Sequence, residues 1–108
     1  MAFVRTLTFV VPPERTQELE PGHNLYLAAV HGIKLAAQNV QGFHRGGVWM
    51  QRRPDGSVKV QAYSQWYEMD NIETYASVPM VRDFEKDVST YLSTPVVEIY
   101  EVMAAQTS

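Results

Sequence analysis

The chain contains no cysteine, so disulfides, iron–sulfur clusters and thiolate catalysis are excluded. It has no apolar run near the roughly 18 residues a membrane span needs. Its start, Met1 to Val11, shows no basic region followed by a long apolar stretch, so no secretory signal is expected. Charge is sparse. Charged residues make up 19% of the chain and the net charge is -3; no face gathers Lys and Arg as a nucleic-acid binder requires. The three histidines, His23, His31 and His44, lack the close spacing of a preformed metal site. No glycine-rich phosphate loop, nucleophile elbow, internal repeat or linker is visible. The expectation is a soluble cytoplasmic protein. Its 108 residues, 45% of them hydrophobic, suffice for one domain with one core.

What is present reads as alternating strands and amphipathic helices. Phe3 to Val11 alternates, with Phe3, Arg5, Leu7, Phe9 and Val11 on one side. Both sides are β-prone, which predicts a strand, and Pro12-Pro13 ends it. Residues 14–22 read as a turn or short helical piece. From His23 to Val40 the spacing predicts a helix. Leu25, Tyr26, Ala28, Ala29, Val30, Gly32, Ile33, Leu35, Ala36, Ala37 and Val40 share a broad arc, with His31 and Lys34 opposite. So many Ala and Gly residues imply a helix lying close against a sheet, and Gly42 stops it.

Phe43 onward predicts a β-hairpin. Arg53-Pro54-Asp55-Gly56-Ser57 suits a type I turn with Gly56 in the left-handed position of a bulge. That loop sets Val48 opposite Ala62, Met50 opposite Val60 and His44 opposite Trp66. Asp70 is expected to cap a short helix reaching Tyr75. Pro79 starts another, with Val81, Phe84, Val88, Tyr91 and Leu92 as its buried stripe. A last strand runs from Val96 to Met103. The order β-α-β-β-α-β is the ferredoxin-like split βαβ arrangement, an α+β fold with a four-stranded antiparallel sheet and helices on one face. The other sheet face carries Trp49 and Tyr63 between glutamines, too apolar for free exposure. That predicts a homodimer through this face.

The sequence resembles the antibiotic biosynthesis monooxygenase family of dimeric α+β barrels. The likeness rests on Val40-Gln41-Gly42-Phe43 at the end of the first helix, Trp66 at the end of the third strand before the acidic segment Glu68 to Glu73, and Tyr75 beyond it. It covers about residues 3 to 103. The resemblance implies a barrel-forming dimer with a pocket between sheet and helices in each subunit. Some members of that family oxidise phenolic polyketides with O₂ and no bound cofactor. A haem-degrading branch of the superfamily uses an Asn on the first strand and a Trp and a haem-ligating His in the second helical region. Here the first strand offers Arg5, Thr6, Leu7 and Thr8; Tyr75 stands at the Trp position, and Phe84 or Glu85 at the His position. No cofactor is therefore expected, haem included.

The hairpin register and strand order bring Arg5, His44 and Trp66 toward one rim, with Met50, Ala62 and Ser64 on the same helix-facing side. On that reading Trp66, Tyr75, Met50 and Ser64 bind a small aromatic molecule. Arg5 stabilises its phenolate and His44 removes the phenolic proton. Two other readings stand beside it: a non-catalytic barrel that binds a small apolar ligand, and an isomerase or decarboxylase with His44 as base. A bulge in the second strand would turn His44 to the other face. Trp66 itself reads either as a pocket wall or as core packing.

Overall fold

The computed structural model describes residues 2–105, without the side chains of residues 35–37. Expectations for Leu35, Ala36 and Ala37 thus lie outside the described residues. The elements are β1 (Phe3–Val11), a 3-10 helix (Pro13–Leu19), α1 (Asn24–Asn39), β2 (Phe43–Arg52), β3 (Val58–Trp66), α2 (Met69–Ala76), α3 (Pro79–Tyr91) and β4 (Val96–Glu101). The strands form one sheet in the order β2-β3-β1-β4, and every neighbouring pair is antiparallel. This is the ferredoxin-like fold.

The alternation in β1 decides which of its side chains meet the helices. Arg5, Leu7, Phe9 and Val11 are buried, facing Ser64, Ala62, Val60 and Val58 of β3. The core divides into two apolar clusters. One joins Phe9, Val11, Val58 and Val60 to Val88 of α3, with Phe84 packed beside them. The other joins Trp66 to Val40, Ile72, Tyr75 and Val81, with Phe3 and Phe43 alongside. Arg5 and Ser64 belong to neither cluster; by their register they lie between them.

The hairpin turn forms as its residues dictate. Gly56 has φ of 89°, its N–H donates to the Arg53 carbonyl at 3.0 Å, and Asp55 Oδ1 accepts from the Ser57 N–H and hydroxyl at 2.9 and 2.6 Å. The expected register holds from Arg45 to Arg52, including Val48 opposite Ala62 and Met50 opposite Val60. It fails at His44. A bulge between Phe43 and Arg45 leaves His44 as the extra residue, and Phe43 takes the place opposite Trp66.

Three other boundaries differ from expectation. Glu68, not Asp70, precedes the first turn of α2, because Asn71 Oδ1 accepts from the Glu68 N–H at 3.0 Å and closes that turn. Asp70 lies inside the turn, where its charge suits the positive helix end. Tyr91 is 67% exposed rather than buried. It is the last residue of α3, and Arg15 Nη1 donates to its carbonyl at 2.8 Å. β4 ends at Glu101 with every residue exposed, although the Val102 N–H still donates to the Ala2 carbonyl at 2.8 Å.

The sheet face away from the helices is a ladder of paired polar groups under stacked aromatics. Trp49 and Tyr63 stack with ring centres 4.4 Å apart. Trp49 Nε1 donates to Gln61 Oε1 at 2.7 Å, and Gln61 Nε2 donates to Thr8 Oγ1 at 3.1 Å. Trp49 is still 56% exposed, so a large aromatic plate faces outward.

Candidate functional site

Arg5 is 6% exposed in the middle of β1. Burying a guanidinium is costly unless it is paired. The partner is Glu85 of α3, whose Oε1 accepts from Arg5 Nη2 and forms the ion pair with it. Glu85 sits four residues after Val81 and three before Val88, the buried pair of α3, so helical geometry turns it toward the same interior. That spacing was visible in the sequence, but a glutamate in an amphipathic helix reads as solvent-facing until its partner is known.

Tyr75, near the end of α2, completes the arrangement. It is 4% exposed, and the Arg5 guanidinium carbon stands 5.7 Å from its ring centre, within cation–π range. Burial raises the pKa of its hydroxyl, with Arg5 partly opposing the shift and Glu85 adding to it. The hydroxyl therefore stays protonated at neutral pH and can donate a hydrogen bond. Ser64, opposite Arg5 on β3, is 2% exposed.

Arg5, Ser64 and Tyr75 line one cavity of about 20 Å³, roofed by Ala29, Gly32 and Ile33 of α1 and by Val81 and Phe84 of α3. That volume holds about one water. As it stands the cavity is too small for an aromatic ring.

The remaining residues singled out from sequence fall elsewhere. Trp66 is 0% exposed and is wedged between Phe43 and Tyr75, with ring centres at 5.4 and 4.9 Å. It does not line the cavity but backs the Tyr75 ring that does. Its indole Nε1 is buried and has no hydrogen-bond partner among the described residues. His44, thrown outward by the bulge, is exposed, with Nδ1 2.9 Å from the Tyr67 hydroxyl. The expected convergence of His44 with Arg5 and Trp66 does not form. Met50 is 49% exposed and lines a separate apolar cavity of about 120 Å³ with Tyr26, Val30, Val48 and Val60. Among the described residues no group of His, Asp and Glu is arranged to hold a metal ion.

These features define a ferredoxin-like α+β protein with a narrow, mostly apolar cavity under its helices and one ion pair at its edge. No family model and no curated protein matches the sequence. Solved structures do match in fold. The protein has the fold of the antibiotic biosynthesis monooxygenases. One structure so described, provisionally, from Deinococcus radiodurans has a TM-score of 0.72 at 16% identity, covering 100% of this chain and 98% of that one. SnoaB from Streptomyces nogalater, described as a cofactor-independent oxygenase, has a TM-score of 0.63 at 16% identity and covers 99% and 98%. A dimeric ferredoxin-like protein of unknown function from Bacteroides fragilis has a TM-score of 0.68 at 15% identity and covers 94% and 96%.

Proposed function

We propose that the protein is a homodimeric monooxygenase that oxidises a small phenolic or anthrone-type aromatic with O₂ and without a bound cofactor. The observation that carries this reading is the meeting of Arg5, Ser64 and Tyr75 at a gap between two apolar clusters. The likeness in fold to a cofactor-independent oxygenase supports it. An anthrone needs no reductant. Its methylene carbon loses two hydrogens and gains one oxygen atom, while the other oxygen of O₂ leaves as water. The protein's part is to favour the enolate that reacts. Arg5 has N–H groups beyond the one given to Glu85, and these would donate to the ligand oxygen as charge builds there. Ser64 and the protonated Tyr75 would add neutral hydrogen bonds, and the apolar walls would orient the ring.

Haem does not fit this donor set. Where the haem-degrading branch places its first-strand Asn and its His, this chain has the region of Arg5 and either Phe84 or Glu85. Arg5 and Glu85 bind each other, so neither position offers a neutral nitrogen to ligate iron. The dimer is supported by the dimeric neighbour in fold and by the outward plate of Trp49 and Tyr63.

O₂ uptake with an anthrone such as dithranol tests the reading. Uptake above the uncatalysed rate, reduced at least about tenfold by Arg5→Met, is expected; a rate equal to buffer for several anthrones and hydroquinones would overturn it. The second reading, a barrel that binds a small apolar ligand without catalysis, is favoured by one observation: among the described residues no histidine lines the cavity, and His44 pairs with Tyr67 outside it. Thermal stabilisation by such ligands with no O₂ uptake would select it. The isomerase or decarboxylase reading draws on His44 as base and gains nothing from this placement.

A further inference from the structure

Gly32 lies in the interior of α1 and is buried. Glycine there costs roughly 0.5–1 kcal/mol relative to alanine. Two ordinary reasons for such a residue are absent. Its φ is not in the left-handed range, and a Cβ built on it would meet no atom of the described residues within 4 Å. Neither backbone conformation nor a close neighbour accounts for it. What it adjoins is empty space on two sides. Gly32 and Phe84 line the inner cavity with Arg5, Ser64 and Tyr75, and the same two residues line an open groove of about 580 Å³ between α1 and α3 on the outer surface.

We infer that the gap at Gly32 is the passage by which a ligand moves from the outer groove to the Arg5–Tyr75 cavity, and that it admits uncharged aromatic molecules in preference to carboxylates. This rests on the function proposed above. The missing side chain leaves Phe84 as the one side chain that lines both spaces; it packs on Phe9 with ring centres 5.8 Å apart, so the passage widens as α3 shifts away from α1 beside Gly32. The selection follows from charge. Inside, Glu85 already neutralises the Arg5 charge; the spare Arg5 N–H groups can support charge that develops on a ligand already bound, but a carboxylate would have to shed its water to reach them as a full, uncompensated charge. Outside, the groove is lined by Asp83 and Asp87 and by His31, but not by Arg82, Lys86 or Lys34.

The test uses 1-naphthol and 1-hydroxy-2-naphthoate, which differ by one carboxylate, titrated calorimetrically into the full chain and its variants for affinity and mixed with them by stopped flow, followed by tryptophan fluorescence, for association rate. The parent is expected to bind 1-naphthol more tightly. Gly32→Leu, which puts a branched chain into the gap, is expected to slow 1-naphthol association at least about tenfold with a Tm no lower than the parent's. Gly32→Ala should fall between the two, and Lys34→Ala, exposed on the same helix, should bind as the parent does. Should Gly32→Leu not fold, Gly32→Ala carries the test. A parent-like association rate in a folded Gly32 variant overturns the passage and leaves the proposed function standing. Equal or tighter binding of the carboxylate overturns the selection. Failure of the parent to bind either probe overturns the proposed function and the passage together.

Discussion

The Arg5 guanidinium donates from Nη2 to Glu85 Oε1, tying β1 to α3 across 80 residues of sequence. The side chains are 7% and 26% exposed, so the pair is nearly dry at the arginine and partly wet at the glutamate. Glu85→Ala leaves the buried cation unpaired. A loss of about 2–3 kcal/mol in urea unfolding is expected, below the roughly 3–5 kcal/mol of a fully buried pair because the glutamate end keeps some water. The double variant Arg5→Met/Glu85→Leu should recover most of that loss. A double variant as unstable as Glu85→Ala would show that shape, not charge, decides the site.

Gly42 and Gly22 both hold positive φ, 85° and 90°, but only one is crowded. A Cβ on Gly42 would sit 2.0 Å from Asn71 Oδ1, whereas one on Gly22 meets nothing. Gly22→Ala should cost about 1–2 kcal/mol for the left-handed backbone alone. Gly42→Ala should cost clearly more, because it also displaces the carbonyl oxygen that receives the Glu68 N–H. With Asn71→Ala the two losses should sum to less than their separate values, read from denaturant midpoints.

Tyr75 sets an alkaline limit. Burial holds its hydroxyl pKa above the ordinary 10.0, so above about pH 10 the unfolded chain releases a proton that the folded chain keeps. Its contribution is intact below that pH and is lost as pH climbs through the folded value. Tyr75→Phe should make the fall in urea midpoint between about pH 9 and about pH 11 shallower. A slope unchanged by the substitution would place the alkaline sensitivity elsewhere.

The aromatic plate on the open sheet face carries the assembly prediction. Light scattering at micromolar concentration should give twice the 12.3 kDa chain mass, and Trp49→Glu should shift the species toward monomer while preserving far-ultraviolet circular dichroism. Monomeric mass in the parent would remove the dimer.

The parts of the fold that local chemistry controls could be read before any coordinates. Asp55-Gly56 announced its turn, and with it the pairing from Arg45 to Arg52. Strict alternation in β1 turned Arg5 inward. What escaped depends on distant partners. Glu85 is recognisable as interior only once Arg5 is known to face α3. The bulge at His44 has no marker of its own in the sequence. One inserted residue was enough to send the imidazole outward and to dissolve the cluster expected around it. Trp66 was correctly located at the strand end, but its burial between Phe43 and Tyr75 is a product of packing that no short pattern encodes.

The same inserted residue has a consequence for how the chain can change in length. On the loop side of His44 the strand is phased by the hairpin turn; on the helix side Phe43 keeps its own inward phase against Trp66. Removing residue 44 would join two segments that already agree in facing, with Phe43 in and Arg45 out. Removing any one residue between Val48 and Gln51 would instead invert every side chain beyond the cut. Position 44 is thus where β2 tolerates a frame slip, and the histidine standing there is held by its hydrogen bond to Tyr67 rather than by the ladder.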